Sequence, residues 1–168
     1  MCQGYTSDMH KEKVLALLRI ALGSVFLWGF LDKTFGLGFS TPVERSWLAG
    51  SSPTSGFLSK GTEGPFGEMF AGMAGSVAVD WLFMMGLLGV GLALVLGMGM
   101  FVAAWAGSAQ MLLIYLSMFP PTTHPVVDQH VIYILCFWVL WYFKAGEVWG
   151  LGKWWKRLEV VKKNRWLV

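Results

Sequence analysis

The strongest constraint on this chain is a stretch of 47 residues, 81–127, that contains no Asp, Glu, Lys or Arg. A helix needs about 20 apolar residues to cross the hydrocarbon of a bilayer once. Gly97 and Gly99 interrupt the stretch and permit a tight reversal of the chain. We therefore predict that this stretch forms a helical hairpin that crosses a membrane twice, with spans at residues 80–96 and 100–118.

Two more segments, residues 14–32 and 128–146, have the apolar character and the length of a membrane span. The second of them follows a turn with three prolines in six residues, 120–125, through which a helix cannot continue. With 55% apolar and only 14% charged residues, the chain carries far fewer charges than a soluble domain normally does. The sequence predicts an all-α integral membrane protein, with one domain at residues 1–168 built as a four-transmembrane-helix bundle.

Residues 33–79 differ from the spans because they are rich in Gly, Ser, Thr and Pro. We predict that they form a large extracytoplasmic loop of short helices. Thr41 as an N-cap and Pro42 as the first helical residue predict one of these helices, which Gly50 would end. Residues 150–168 combine tryptophans with basic residues, which is typical of an amphipathic cytoplasmic tail, and we predict that it forms an amphipathic helix on the membrane surface from Lys153 onward.

The basic residues crowd near the two ends of the chain, so the net charge of +3 is better explained by membrane topology than by a nucleic-acid partner. By the positive-inside rule, both termini are predicted to be cytoplasmic. Arg19 lies inside the first span, where a long side chain can snorkel to the interface or pair with an acid on a neighbouring helix. Glu147 is the predicted partner in such a structural ion pair.

Polar side chains stand at the outer ends of three predicted spans. Asp32 and Lys33 close the first span, Asp80 opens the second, and Asp128 and His130 open the fourth. Charged groups near lipid are costly and tend to face a bundle interior or a cavity, so we predict a binding pocket among these residues. The alternative is that the aspartates only cap helices or neutralise a neighbouring lysine.

His130 is the member of this set that can exchange a proton near physiological pH. Positions i and i+2 point to different sides of a helix, so Asp128 can pair with His130 directly only if Asp128 is a non-helical cap. His10 is on the opposite side and His124 is only six residues from His130, which argues against haem. The chain also lacks CxxC pairs and nucleotide-binding fingerprints, so no metal or flavin site is predicted.

Several short motifs, spread over residues 15–143, form a set that is typical of one family. They are Leu18-Arg19-Ile20-Ala21-Leu22-Gly23, Phe26-Leu27-Trp28, Asp32-Lys33, Trp47-Leu48, Ser52-Pro53-Thr54, Gly56-Phe57-Leu58, Gly64-Pro65-Phe66, Asp80-Trp81-Leu82-Phe83-Met84 and Pro125-Val126-Val127-Asp128-Gln129-His130-Val131-Ile132-Tyr133. In these motifs the chain resembles the DoxX/DoxD superfamily of small four-helix membrane proteins, and its outer loop looks like that of the DoxD-like branch.

The resemblance implies the membrane subunit of a thiosulfate:quinone oxidoreductase, working with a second redox subunit in the plasma membrane of a bacterium or archaeon. It places quinone, as the cofactor, between the helices near the outer interface. His130, Asp128 and Asp32 are then the predicted catalytic groups, because they can hydrogen-bond or protonate quinone oxygens. The predicted substrate-binding residues are Lys33, Asp80, Trp28, Trp47 and Arg45.

Two readings of a different class stay open beside the quinone-linked subunit. One is a protein that binds or transports a lipid or small solute. A transport path across the membrane needs polar groups along it, and the predicted spans contain few charged residues between their ends. The other is a noncatalytic scaffold of a membrane complex, whose outer polar groups would all be satisfied by internal hydrogen bonds. Membrane lipid is an expected partner in every case, and a homo-oligomer stays open.

Overall fold

The computed structural model of the chain describes residues 2–122 and 124–168, and in that part of the chain every regular element is a helix. Thr123, in the predicted proline-rich turn, lies outside the described residues. The α-helices are α1 (Cys2–Phe35), α2 (Ser55–Lys60), α3 (Gly67–Ala71), α4 (Val77–Leu96), α5 (Met100–Ser117), α6 (Gln129–Tyr142), α7 (Gly152–Trp155) and α8 (Glu159–Lys163). Turns of 3-10 helix lie at Val43–Arg45, Gly64–Phe66, Ala145–Glu147 and Arg165–Leu167.

Three helices are long and apolar enough to cross a membrane: His10–Phe35 within α1, Val77–Leu96 and Met100–Ser117. They contain 26, 20 and 18 residues. α6 is equally apolar but has only 14 residues, which corresponds to about 21 Å of helix. The all-α prediction is confirmed, and the long apolar helices support the assignment to a membrane.

The helices pack around one core, with α4 against α1 on one side and α5 on the other, and α5 against α6. Phe26 of α1 contacts Phe137 of α6 with the ring centroids 5.5 Å apart, which brings the first and last long helices together. Gly23 faces Leu94, and Gly107 faces Phe137, so small residues allow these helices to approach closely. The core therefore runs along the length of the helices.

Large apolar side chains also cover the outside of the bundle. Leu82, Trp105, Leu135 and Tyr142 are all more than half exposed. A soluble protein rarely exposes a contiguous apolar surface of this extent. The outer surface therefore suits a lipid environment.

The bundle has two ends of different construction. At the hairpin end, the turn between α4 and α5 uses Gly97 (φ 72°) and Gly99 (φ 61°), both in the left-handed region that glycine adopts without strain. Lys144 and the tail after it also lie at this end, because α6 runs towards it. At the loop end lie the C-terminus of α1, the N-termini of α4 and α6, and the loop between α1 and α4.

Two local predictions are wrong. No α-helix starts at Thr41, since the chain forms only a 3-10 turn at Val43–Arg45 and no side chain caps it. The tail after residue 150 is not one amphipathic helix either, because Leu158 is extended (φ −66°, ψ 136°) and separates α7 from α8. The tail instead folds back onto the bundle, where the indole N–H of Trp141 donates to the carbonyl of Val168 at 3.0 Å.

The close packing of α1 against α4 at Gly23 predicts that a larger residue there destabilises the protein. A methyl group there would lie 2.8 Å from Cβ of Leu94 and 2.9 Å from the backbone nitrogen of Val95, so we expect Gly23→Ala to destabilise the protein by about 1–3 kcal/mol. Gly89→Ala is the matched control, because nothing lies within 4 Å of the added methyl. Thermal unfolding in detergent should show a lower Tm for Gly23→Ala alone, and equal Tm values would contradict the packing described for α1 and α4.

Candidate functional site

The topology brings three aspartates to the loop end. Asp32 lies in the last turn of α1, Asp80 in the first turn of α4, and Asp128 directly before α6. Asp32 and Asp80 are both at least 95% buried, with exposures of 1% and 5%. Buried carboxylates need hydrogen-bond donors, so the partners of each one show what it does.

Asp32 organises the chain that follows α1. Its carboxylate accepts hydrogen bonds from the backbone N–H of Phe39 at 3.2 Å, and from both the N–H and the hydroxyl of Ser40 at 3.0 and 2.6 Å. The loop therefore turns around this carboxylate immediately after the helix. The side chain is used to shape the loop.

Asp80 ties the loop to α4. Its Oδ1 accepts from the hydroxyl of Ser52 at 2.8 Å, from the N–H of Thr54 at 3.2 Å and from the hydroxyl of Thr54. The neighbouring Trp81 packs edge to face against Trp47, with the ring centroids 4.7 Å apart. Asp80 and this aromatic pair hold the same part of the loop against the bundle.

Asp128 is the N-cap of α6, with an extended backbone (φ −130°, ψ −172°). Its Oδ1 accepts from the N–H of His130 at 2.9 Å and of Val131 at 3.2 Å. Its Oδ2 lies 2.5 Å from Nδ1 of His130. Because Asp128 is outside the helix, the two side chains meet despite their spacing of two residues.

The Asp128–His130 pair has an open side. His130 is 8% exposed, and its Nε2 has no hydrogen-bond partner within the described part of the chain. An imidazole whose Nδ1 is held by a carboxylate has a fixed orientation. This pair, called the Asp128–His130 dyad below, is a group that can take up or release a proton at Nε2.

The other predicted substrate-binding residues are more scattered. Trp28 is 45% exposed and packs against Phe39, with the ring centroids 5.0 Å apart. Arg45 is exposed in its 3-10 turn and is not brought against the dyad by any contact in the described residues. Lys33 is half-buried, and its carbonyl accepts from the N–H of Trp47 at 2.9 Å, which anchors the loop to the end of α1.

The predicted ion pair between Arg19 and Glu147 is wrong. Glu147 pairs with Lys156 instead. Arg19 is completely buried at the hairpin end and donates all its hydrogen bonds to backbone carbonyls. The five acceptors are Leu94, Val95, Ala145, Val148 and Trp149.

Sequence reasoning also missed a cavity at the hairpin end. It has a volume of about 590 Å³ and lies between the α4–α5 turn, the end of α6 and the tail. Its walls include Trp141 and Trp155, and Lys144, Lys156 and Lys162 reach it. The tryptophans and lysines of the tail were visible in the sequence, but their convergence depends on the tail folding back.

The bonds of Asp80 predict a stabilising role that can be measured separately from function. Asp80→Ala leaves the donors at Ser52 and Thr54 unpaired, so we expect the loop to detach and trypsin to cut at Lys60 roughly tenfold faster, as the loss of about 1–3 kcal/mol implies. Glu68→Ala removes an exposed acid of the same loop and is the matched control. Limited proteolysis of the intact protein in detergent measures both rates, and equal cleavage of the two variants would contradict this role.

No family model, no curated protein and no solved structure matches the chain.

Proposed function

We propose that the chain crosses the membrane four times, with α6 as a short fourth span. Two contacts support this: α6 packs on α1 through Phe26 and Phe137, and on α5 through Trp105 and Trp138, whose centroids are 5.1 Å apart. Its outward side chains include Leu135, which is 57% exposed and suits lipid. A span shorter than the bilayer can be accommodated by local thinning and by snorkelling of flanking residues.

In this proposal the hairpin end faces the cytoplasm and the loop end faces outwards. Both termini are then cytoplasmic, in the plasma membrane of a bacterium or archaeon. The support is the distribution of charge, since the tail at the hairpin end contains many basic residues close to a membrane crossing. They are Lys144, Lys153, Lys156, Arg157, Lys162, Lys163 and Arg165.

We further propose that the protein is a quinone-linked redox subunit of the DoxX/DoxD type whose Asp128–His130 dyad exchanges protons with quinone. The observation that carries this is that Nε2 of His130 has no partner among the residues that the structure describes, while Asp128 holds the ring through Nδ1. Reduction of a quinone to a quinol consumes two electrons and two protons, so a buried proton donor beside the quinone oxygen has a direct role. The electrons would come from thiosulfate, directly or through a second subunit.

Within this proposal Asp32 and Asp80 act by shaping the loop at the same end of the bundle as the dyad, because their carboxylates are engaged by loop donors. Lys33 and Arg45 contribute positive charge on the outer side, which attracts a sulfur oxyanion over a distance of roughly 10 Å at moderate salt. Asp32 is then a positioning residue, and His130 is the group that would touch the quinone.

A noncatalytic scaffold is the second candidate function. It is favoured by the closed hydrogen bonding of Asp32 and Asp80, since carboxylates that only hold a loop need no substrate. The two candidates differ at His130, because a scaffold has no use for a free ring nitrogen there.

Replacement of His130 tests the proposed role of the dyad in quinone reduction. His130→Gln removes the proposed proton donor, so we expect thiosulfate-dependent reduction of a short-chain quinone in reconstituted vesicles to fall about 100-fold. His124→Asn is the matched control at the same end, because asparagine keeps an acceptor for the backbone N–H groups that His124 binds. Quinone absorbance measures the rate.

Asp128→Asn separates proton chemistry from helix capping. Asparagine caps a helix about as well as aspartate, so the Tm should stay within a few degrees while the rate falls about tenfold or more. Unchanged turnover in both dyad variants would remove the proposed site. A wild-type protein that neither reduces nor retains quinone would favour the scaffold.

A further inference from the structure

The cavity at the hairpin end lies at the opposite end of the bundle from the dyad and is independent of the proposed redox function. Its volume of about 590 Å³ falls within the range of roughly 300–1,000 Å³ that is typical of small-molecule sites. Its position at the ends of α4, α5 and α6 puts it at the level where lipid headgroups lie.

Positive charge dominates the polar part of the cavity wall. Lys144, Lys156 and Lys162 line it, and Glu147 is the one acidic side chain among the lining residues. Glu147 is engaged by Lys156, and Lys162 pairs with Glu159 on the surface at 2.7 Å, a contact that is worth little when exposed. The side chains that line the cavity therefore carry a net positive charge, and Lys144 forms no ion pair among the described residues, which complements a phosphate group.

Apolar and aromatic groups form the rest of the wall. The indole N–H of Trp141 is taken by the carbonyl of Val168, and that of Trp155 by the carbonyl of Leu167 at 2.8 Å. Both rings therefore offer the cavity their hydrocarbon surfaces, together with Met100 and Val161. A ligand needs an apolar part to fill this space.

The rim of the cavity is continuous with the lipid-facing surface. Tyr142 lines the cavity and is 71% exposed, and Phe143 beside it is 59% exposed. An acyl chain can therefore leave the cavity along α6 without crossing a polar surface. A soluble anion would have no use for this route.

We propose that this cavity binds an anionic phospholipid, with its phosphate near Lys144 and Lys162 and its glycerol and upper acyl groups against Trp141 and Trp155. The docked tail forms part of the cavity wall, because the two indole hydrogen bonds hold residues 167 and 168 in place and Val168 lines the cavity. The lipid thereby connects the tail to the end of α6. The tail is anchored by a specific lipid in addition to general attraction to an anionic surface.

Native mass spectrometry of the full chain in detergent tests this, with phosphatidylglycerol as the probe. The double variant Lys144→Gln, Lys162→Gln should bind it about tenfold more weakly, because each lysine near a headgroup contributes to anionic lipid binding. The matched control is Arg157→Gln, Lys163→Gln, which removes two positive charges from exposed positions of the same tail that do not line the cavity. Its affinity should stay within about twofold of the wild type.

Other probes distinguish the source of the phosphate. Phosphatidylcholine has the same phosphate without net negative charge and should bind about tenfold more weakly, and glycerol 3-phosphate without acyl chains should not compete. Equal weakening by the two double variants would show general surface attraction and overturn the proposal. So would equal binding of phosphatidylcholine, or full competition by glycerol 3-phosphate, which would make the ligand a soluble phosphate.

Discussion

The structure depends on the hydrogen bonds of one buried cation, the guanidinium of Arg19. A guanidinium has five N–H donors, and those of Arg19 meet five backbone carbonyls with no carboxylate among them. Two of the carbonyls, at residues 94 and 95, end α4, where the helix dipole places partial negative charge. A buried charge is tolerated only when it is fully bonded, so α1, the end of α4 and residues 145–149 must stay together.

This contact explains why the hairpin end is so crowded. A methyl group on Gly97 would lie 2.6 Å from the carbonyl oxygen of Gly146, and one on Gly150 would lie 3.0 Å from the Arg19 guanidinium. Lys144 and Trp149 adopt positive φ angles of 53° and 50°, which cost energy in residues with side chains and bend the chain around Arg19. The loop end is held differently, by side-chain carboxylates that bind loop donors, and in the described part of the chain Nε2 of the Asp128–His130 dyad has no partner.

Features that follow from the division of the chain into long apolar segments and polar connections could be predicted from the sequence. The uncharged stretch and its two glycines predicted the α4–α5 hairpin, and the position of Asp128 before an apolar run predicted its cap. The partners of Arg19 could not be predicted, because every residue has a carbonyl and a sequence shows only side chains. The prediction that Glu147 pairs with Arg19 is therefore wrong. The folded tail could not be predicted for the same reason, since the indole N–H groups of Trp141 and Trp155 that hold it bind backbone oxygens.

Hydrogen–deuterium exchange of the purified protein tests the central claim most directly, by comparing Arg19→Lys with Glu147→Gln. Lysine has three donors on one nitrogen and cannot reach five carbonyls, so residues 144–152 and the end of α4 should exchange about tenfold faster or more, as the loss of two bonds to a charged group implies. Glu147→Gln should leave the exchange at residues 94–97 unchanged, because Glu147 does not bind Arg19. Normal exchange in Arg19→Lys, or equal opening of residues 94–97 in both variants, would contradict the account.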